Sequence, residues 1–448
     1  MITFDHILPN ISEELNSHSE EVAQFDWMLI NRDLNGRVRL ILPESVEANP
    51  KLHDQAKKLY RKLAVRITPH AYPVETGILY ESSREKVCDG STHYLLEGCS
   101  NVWVVDRLAT EGNWAQIAPE AQGATRVVFF SIKGGVGRST ALAATAWTLA
   151  QAGKRVLILD LDLESPGLSS SLLPLDRQPA YGITDWLVED LVNNSAMVLD
   201  SMIATSSLSY DGEIYVVPAH GQDPGEYITK LGRVWMPKVK DNGEREPWSA
   251  RLERLLGELE ARIQPDVILI DSRAGIDEVA SSCVTDLGAK LVLLFALEGN
   301  QTWTGYNILF ENWNRAQVAK EIRERLKIVA ALVPDTGQKV SYIEDLREDA
   351  YKVFASSLYD EIAPSTDAGG PSQDGKWRVG ELVEGWNFDE ADETAPHSPW
   401  PVYWHSGWAS LRSLHGRLVT VDAEEINRLF GSLLEGVSAT LVKENSHD

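Results

Sequence analysis

Cysteine is scarce in this sequence, and long apolar runs are absent. The 448 residues include three cysteines, Cys88, Cys99 and Cys283, and no two of them form a CxxC pair. This set excludes a disulfide framework and argues against a metal or redox centre built on thiolates, so we expect free structural thiols. Nothing near Met1 resembles a signal peptide, and no apolar stretch approaches the roughly 20 residues that a membrane-spanning helix needs. These absences predict a cytoplasmic protein that does not contact a membrane.

Positive charge is also in short supply. The chain has 42 lysines and arginines against 66 aspartates and glutamates, a formal net charge of -24. Nucleic acids and anionic lipids bind through clustered basic side chains, so this balance disfavours a wide nucleic-acid surface. A predicted helix at residues 51–66 gathers basic residues on one face. A solvated face is the preferred interpretation, because residues 1–122 are acidic overall, but a local partner or nucleic-acid contact there stays open.

Short apolar runs and helical patterns alternate from about residue 126. The runs are rich in β-branched residues or leucine and lack a polar/apolar alternation, as expected of strands buried on both faces. The helical segments between them predict crossover connections, and hence a doubly wound α/β domain with a mostly parallel sheet. The six runs are RVVFF (126–130), RVLILD (155–160), IYVVP (214–218), DVILID (266–271), KLVLLFA (290–296) and LKIVAALV (326–333).

The flanking regions complete the predicted organisation. Residues 1–122 contain two strands around an Asn-Gly turn, an amphipathic helix and a further strand, which predicts a small α+β domain of unknown role. Residues 123–448 form the second predicted domain. Within it, the Gly, Pro, Ser and Asp of residues 364–399 predict mobile loops. A last strand is expected at 400–404 and a last helix at 422–442.

The most informative stretch is KGGVGRST, residues 133–140, which follows a predicted strand and precedes a predicted helix. Against the common phosphate-loop pattern GxxxxGK[ST] it fails twice, with Ile132 at the first glycine and Arg138 at the lysine. Nevertheless, Gly134, Gly135 and Gly137 would let backbone N–H groups and the helix N-terminus converge on one anion, most naturally a phosphate. Ser139 then stands where a hydroxyl can bind Mg²⁺, and Thr140 where one can reach a second phosphate.

This stretch resembles the deviant Walker A motif, KGGxGK[ST], of the ParA/MinD family of P-loop ATPases. Three further segments resemble family motifs in the expected order. LILDLDLESPGLS (157–169) is similar to the acidic motif of the second strand, IYVVPAHG (214–221) to a strand ending in Pro-Ala, and DVILIDSRAGID (266–277) to the Walker B and switch II segment. The resemblance implies a P-loop core that binds ATP and Mg²⁺ and hydrolyses ATP slowly. It also implies a homodimer with ATP at its interface, and regulation of a partner or of the protein's own N-terminal domain.

The same resemblance implies residue roles. Lys133 matches the signature lysine that reaches the partner protomer's ATP, and Asp162 the residue that positions the attacking water. Asp271 matches the residue that supports Mg²⁺, with Ser139 and Asp160 as further metal-site candidates; for Asp160 and Asp162, helix capping is the structural alternative. Arg138 is assigned both to the phosphates and to catalysis. The remaining nucleotide-binding candidates are Gly134, Gly135, Val136, Gly137, Thr140, Val333, Pro334 and Asp335, the last three for adenine.

Two departures from the family pattern leave alternatives open. At Arg138 a planar guanidinium replaces a slim ammonium, so phosphate binding is expected to persist while turnover is in doubt. The runner-up hypothesis is therefore a nucleotide-holding sensor or scaffold that does not hydrolyse ATP. At Arg273 a guanidinium replaces the usual switch II proline, and it either contacts phosphate or pairs with a carboxylate. Positioning, partition, assembly of another complex and a phage-defence system are all open as the biological process.

Overall fold

The computed structural model describes residues 2–88, 91–108, 113–208, 211–335, 337–360, 385–408 and 411–441. Its strands build three sheets, of five, two and eight strands. The strands are β1 Met28–Arg32, β2 Val38–Pro43, β3 Ile78–Glu81, β4 Thr92–Leu95, β5 Val102–Asp106, β6 Thr125–Ser131, β7 Arg155–Asp160, β8 Ala204–Thr205, β9 Glu213–Val217, β10 Lys238–Val239, β11 Arg245–Glu246, β12 Val267–Ala274, β13 Leu291–Ala296, β14 Leu326–Val333 and β15 Trp400–Tyr403.

Helices connect most of these strands. They are α1 Ile7–Ser17, α2 Ser19–Val22, α3 Glu44–Ala48, α4 Pro50–Ile67, α5 Arg84–Cys88, α6 Arg138–Gln151, α7 Leu168–Leu172, α8 Ile183–Asp190, α9 Ala196–Leu199, α10 Tyr227–Val234, α11 Trp248–Ile263, α12 Glu278–Ser281, α13 Asn300–Arg315, α14 Ala319–Ile322, α15 Lys339–Ser357, α16 Leu411–Thr420 and α17 Ala423–Leu441. Among the described residues, none of these helices is both long enough and apolar enough to cross a membrane.

The eight-stranded sheet is the centre of the larger unit. Its order is β15-β14-β13-β6-β12-β7-β9-β8, and every neighbouring pair is parallel except β8 with β9. The predicted doubly wound, mostly parallel α/β fold is therefore confirmed. All six apolar runs read from the sequence form strands of this sheet, namely β6, β7, β9, β12, β13 and β14.

Helices cover both faces of this sheet, which explains the uninterrupted apolar character of its strands. On β6, Val127 and Phe129 pack with the apolar side chains of α6 and α17. Val128 and Phe130 point to the other face and pack with residues of α13, including Tyr306, whose ring centroid lies 6.2 Å from that of Phe130. Because successive strand residues alternate between two dry layers, both sets are mainly apolar.

The last strand and helix lie where they were expected. β15 pairs in parallel with β14 at the edge of the sheet, and α17 packs against β15 and α6. Helix α16, which precedes α17, was not predicted.

The prediction of mobile loops over residues 364–399 is wrong for part of this range. Residues 364–384 lie outside the described part of the chain. Residues 385–399 form no helix or strand, but residues 395–399 are buried. The Ile328 N–H donates to the Pro396 carbonyl at 3.0 Å, and Lys327 Nζ donates to the Ala395 carbonyl at 2.7 Å. These bonds fix the segment to β14, so it is part of the sheet's edge rather than a mobile loop.

The N-terminal sheet has the order β3-β2-β1-β5-β4 and lies entirely before residue 107. The predicted hairpin is present: β1 and β2 are antiparallel and turn through Gly36, whose φ of 73° favours glycine. Helix α4 packs Leu59, Tyr60 and Leu63 into this unit's core. The small α+β character is therefore confirmed, whereas a domain boundary at residues 122 and 123 stays a prediction.

Candidate nucleotide-binding site

The candidate site lies at the carboxyl-terminal edge of the large sheet. Residues 132–137 connect β6 to α6 as a glycine-rich loop, and Gly135 and Gly137 adopt left-handed φ angles of 75° and 81°. Only glycine takes this conformation without steric cost, so the loop depends on these positions. A Cβ atom added at Gly134 or Gly135 would meet no other atom within 4 Å. The loop thus borders open space at the N-terminus of a 14-residue helix, where an anion is favoured.

A cavity of about 600 Å³ lies against this loop. One side of it consists of residues 134–140 together with Asp162 and Arg273. Such a volume falls in the range of small-molecule and cofactor sites. The cavity is also lined by His405 and by a set of apolar and aromatic residues, Leu332, Val402, Tyr403, Trp404, Trp408 and Phe430.

Arg138, the first residue of α6, is buried and faces three groups of its own chain. Its Nε donates to Asp271 Oδ1 at 2.7 Å, its Nη1 to Ser131 Oγ at 3.0 Å, and its Nη2 to Asp162 Oδ2 at 3.3 Å. Burial alone would lower the pKa of the guanidinium, but the Asp271 carboxylate, followed by Asp162, keeps it raised. Arg138 is therefore a permanent cation, and its longest contact is the one to Asp162.

Ser139 binds the second carboxylate oxygen of Asp271. Its hydroxyl donates to Asp271 Oδ2 at 2.6 Å, so consecutive residues of α6 bind the two oxygens of one carboxylate. Asp271 lies within β12 and is almost completely buried. The structure thus brings together Ser139 and Asp271, two of the three residues named from the sequence as candidates for Mg²⁺, and the third, Asp160, is the register partner of Asp271.

Asp160 ends β7 directly beside Asp271, because the two residues are partners in the parallel register. It is fully buried, and neither carboxylate oxygen accepts a hydrogen bond of ordinary geometry among the described residues. Burial, reinforced by the charges of Asp271 and Asp162, raises its pKa to about 8, which the backbone amides of Ser169 and Asp162 offset only in part. This environment favours the protonated form of Asp160.

Asp162 lies on the loop after β7 and lines the cavity. Burial raises the pKa of its carboxyl, and the Arg138 guanidinium opposes this shift. The preceding residue is fixed to the sheet, since the Leu161 N–H donates to the Asp271 carbonyl at 3.0 Å. Asp162 is therefore held at the phosphate-loop side of the cavity by both backbone and side-chain contacts.

Lys133 and Thr140 have different positions relative to the cavity. Thr140 lines it, as do Val136 and the three loop glycines. Lys133 is exposed and has no hydrogen-bond or ion-pair partner in the described part of the chain. Unlike Arg138, it does not join the aspartate cluster of its own protomer.

The residues predicted for adenine are not those that line the cavity. Val333 is fully buried within β14, while Asp335 is exposed and lies 3.6 Å from Arg428 Nη1. An aromatic wall made of Tyr403 at the end of β15, Trp404 and Trp408 after it and Phe430 of α17 lines the cavity instead, with Trp404 about half exposed. This wall was not predicted. The aromatic residues of WPVYWHSGW at the carboxyl end of a parallel strand were a usable signal for it.

Arg273 pairs with carboxylates, which is one of the two alternatives that the sequence left open. Its Nη2 lies 2.6 Å from Glu164 Oε2 and its Nη1 lies 3.3 Å from Asp277 Oδ2. Glu164 belongs to the loop after β7 and Asp277 to the segment after β12. Arg273 therefore links the loop that carries Asp162 to the segment after β12.

Comparison with known proteins assigns the family. The family described as CbiA, the CobQ/CobB/MinD/ParA nucleotide binding domain, matches residues 127–445. This match covers well over half of the chain, and the chain belongs to this family of nucleotide-binding P-loop proteins, which includes the ParA and MinD ATPases.

Similarity to individual proteins is more distant. The septum site-determining protein MinD of Buchnera aphidicola and that of Escherichia coli K12 are each 26% identical over 172 residues, or 38% of this chain. The match spans half the length of each of these relatives.

Two solved structures are also similar. The ParA family ATPase of Chlorobium tepidum has 19% identity and a TM-score of 0.36 over 55% of this chain and 87% of that one. A Mycobacterium smegmatis cobyrinic acid a,c-diamide synthase with a bound ATP analog and magnesium has 19% identity and a TM-score of 0.36, over 54% and 86%.

Proposed function

We propose that this protein is a MgATP-binding switch of ParA/MinD type that hydrolyses ATP slowly, dimerises with ATP and regulates a partner or its own N-terminal domain. The observation that carries the proposal is the arrangement beneath the glycine-rich loop. There Arg138 and Ser139, consecutive on α6, both bind Asp271 of β12, and Asp162 adjoins them. Such a loop and carboxylate pair are the parts from which phosphoryl-transfer sites are built.

The chemistry of the donor set fits Mg²⁺. Ser139 Oγ and Asp271 Oδ2 lie 2.6 Å apart beside the loop. Mg²⁺ typically takes one or two protein oxygens and completes its shell with phosphate oxygens and water. Ser139 would hold the ion directly and Asp271 would support it. When bound, the ion neutralises charge on the phosphate oxygens.

Each remaining site residue has a proposed role within this scheme. The amides of residues 134–140 bind the phosphates, and Arg138 supplies a fixed positive charge beneath them. Asp162 orients the attacking water. Lys133, exposed and without a partner among the described residues of its own protomer, reaches the nucleotide of the partner protomer and stabilises charge in the transition state.

The aromatic wall is the proposed base site. Tyr403 and Trp404 face the same cavity as the phosphate loop. Stacking of a purine on an aromatic side chain contributes roughly 1–3 kcal/mol. We therefore propose adenine recognition by the chain after β15, in place of Val333, Pro334 and Asp335.

A second candidate function is a nucleotide-holding sensor or scaffold without turnover. It is favoured by the contact between Arg138 Nη2 and Asp162 Oδ2 at 3.3 Å, which occupies the carboxylate expected to orient water. Both candidates bind the same nucleotide. They differ only in whether the hydrogen bond between Arg138 and Asp162 breaks when phosphate is bound.

Sedimentation velocity of the full chain tests the switch. With Mg²⁺ and a non-hydrolysable ATP analogue we expect a dimer, and with ADP a monomer. Lys133→Ala should remain monomeric or dimerise weakly. The control is Lys154→Ala, which lies just after α6 at the end far from the loop, and it should behave as the unchanged protein. A sedimentation coefficient that is the same in all nucleotide states would contradict the proposal.

A further inference from the structure

A second cleft lies between the N-terminal sheet and helix α13 of the larger unit. Its volume is about 280 Å³. The N-terminal wall includes Arg32, Tyr94 and Asp106, from β1, β4 and β5. The opposite wall comes from α13 and from Ile276, just after β12. Clefts between structural units are common places for small-molecule sites.

The polar groups of this cleft are incompletely paired. Arg32 and Asp106 satisfy each other in a bidentate ion pair, with both hydrogen bonds at 2.5 Å. In contrast, Arg315 pairs with no carboxylate in the described residues, although it belongs to the same cleft. The Tyr94 hydroxyl and the Asn312 amide likewise have no hydrogen-bond partner there. Three donor groups of different types thus border one space with no partner among the residues that the structure describes.

Exposed apolar side chains border the same space. Leu108, Ile276 and Ile308 are 53%, 44% and 54% exposed, respectively, and all three line the cleft. Trp114 also lines it, and this side chain is held against the larger unit by Phe130 and Trp313, with ring centroids 6.1 and 6.4 Å away. Single exposed apolar residues are ordinary, but several gathered around unpaired donors indicate a binding surface.

The charge of the cleft is opposite to that of the protein. The chain as a whole carries a formal net charge of -24. The lining has two arginines and one aspartate, and the aspartate is already paired. Burial, followed by the charge of Asp106, raises the pKa of Tyr94 to about 12, so this residue is a neutral hydroxyl at physiological pH and can donate a hydrogen bond.

We propose that this cleft binds a small organic anion. The charged head contacts Arg315, Tyr94 and Asn312, and the apolar body lies against Ile276 and Ile308. At about 280 Å³ the cleft has less than half the volume of the nucleotide cavity, about 600 Å³, so the occupant is a small ring-bearing acid rather than a nucleotide.

The position of Ile276 connects this site to the nucleotide site. Ile276 follows Gly275, whose N–H donates to the Ser131 carbonyl at 2.9 Å, and Ser131 Oγ in turn accepts from Arg138. An occupant that contacts Ile276 therefore contacts a segment bonded to the base of the phosphate loop. If the proposed nucleotide binding holds, the affinities for anion and nucleotide are coupled reciprocally.

Binding of benzoate to the full chain, measured by calorimetry and by saturation-transfer NMR without nucleotide, tests the site. Benzamide is the neutral probe of matched shape, and phenyl phosphate is a second anionic probe. At least one of the two anions should bind, benzamide should bind about tenfold more weakly or not at all, and Arg315→Gln should weaken anion binding about tenfold. Arg61→Gln, at an exposed position on α4, should leave it unchanged.

Three results would overturn the proposal. They are failure of both anions to bind, equal binding of benzoate and benzamide, and anion binding that Arg315→Gln leaves unaltered. Ile308→Asn adds a check on the apolar wall and should also weaken binding, because it removes apolar contact from an exposed position without disturbing the core. The comparison with Arg315→Gln separates binding at this cleft from binding of an anion at the empty phosphate loop, so these outcomes do not depend on whether the proposed ATPase function is correct.

Discussion

Arg138 Nε and Asp271 Oδ1 lie 2.7 Å apart in a buried ion pair that joins the start of α6 to β12. A phosphate loop usually has a free lysine ammonium at this position. Here the position holds the guanidinium of Arg138, which a carboxylate of the same chain fixes in place. Removing one partner of such a buried pair typically costs 3–5 kcal/mol, because the other charge is left without compensation. Truncation of either partner alone is therefore expected to destabilise the fold.

Arg138→Lys should accelerate ATP hydrolysis. An ammonium on a shorter fork-free side chain cannot contact Ser131, Asp162 and Asp271 together, so Asp162 is released to orient water. We expect phosphate release to rise about tenfold at saturating MgATP, with a modest loss of thermal stability. A coupled phosphate-release assay measures the rate.

Arg273→Lys is the matched control for this variant, because Arg273 borders the same cavity but does not contact Asp271. It should not raise turnover. If Arg138→Lys binds ATP and hydrolyses it no faster than the unchanged protein, then the contact between Arg138 and Asp162 does not limit turnover.

The pH dependence of stability should report on Asp160. Its pKa is raised from 3.8 to about 8 by burial and by the neighbouring carboxylates. Between these values the folded protein retains a proton that the unfolded chain releases, so this residue makes the free energy of unfolding fall as pH rises through the window. Above about pH 8 the loss in the free energy of unfolding that Asp160 causes has reached its full size.

Asp160→Asn removes this penalty while keeping a neutral side chain of the same shape. Its free energy of unfolding, from urea titrations without nucleotide or metal, should exceed that of the unchanged protein by about 2 kcal/mol or more near pH 8. The difference should shrink toward about pH 5.5. Asp241→Asn, in the exposed turn between β10 and β11, should show no such trend. If the difference in the free energy of unfolding between the two proteins did not change with pH, Asp160 would not be the group that retains the proton.

Trp404→Ala should weaken nucleotide binding through the base alone. Trp404 lines the cavity and is 49% exposed, so its truncation leaves the core intact. Loss of a stacking surface should raise the Kd for ATP about tenfold. Inorganic triphosphate, which has no base, is the matched ligand and should bind both proteins equally in calorimetry. An equal loss of affinity for ATP and for triphosphate would show that Trp404 supports phosphate binding or the fold and does not bind the base.

The fold was predictable where burial on both faces leaves a strong pattern. β6, β7, β12, β13 and β14 are runs of apolar residues with no alternation, and each was identified within one residue at both ends, except that β12 extends three residues further than predicted. The segment 395–399 was not, because its Pro, His and Ser resemble loop residues. Its burial depends on bonds to Lys327 and Ile328, nearly 70 positions earlier, which no local pattern reveals.

The site shows the same division between local and distant signals. The loop glycines, Ser139, Asp160 and Asp271 could be found from motif spacing, since they follow strands of one parallel sheet. The pairing of Arg138 with Asp162 and Asp271 could not, because a motif gives the position of a side chain along the chain and not the direction in which it points. The aromatic wall depends on β15 joining the sheet beside β14, more than 65 residues along the chain.

Phosphate release from ATP by the full chain tests the central proposal most directly, when compared with Lys133→Ala and Asp162→Ala under saturating MgATP. The proposed switch predicts slow release by the unchanged protein that clearly exceeds that of both variants, each of which should lose at least about tenfold. Release that is no greater than in the two variants would contradict an ATPase switch.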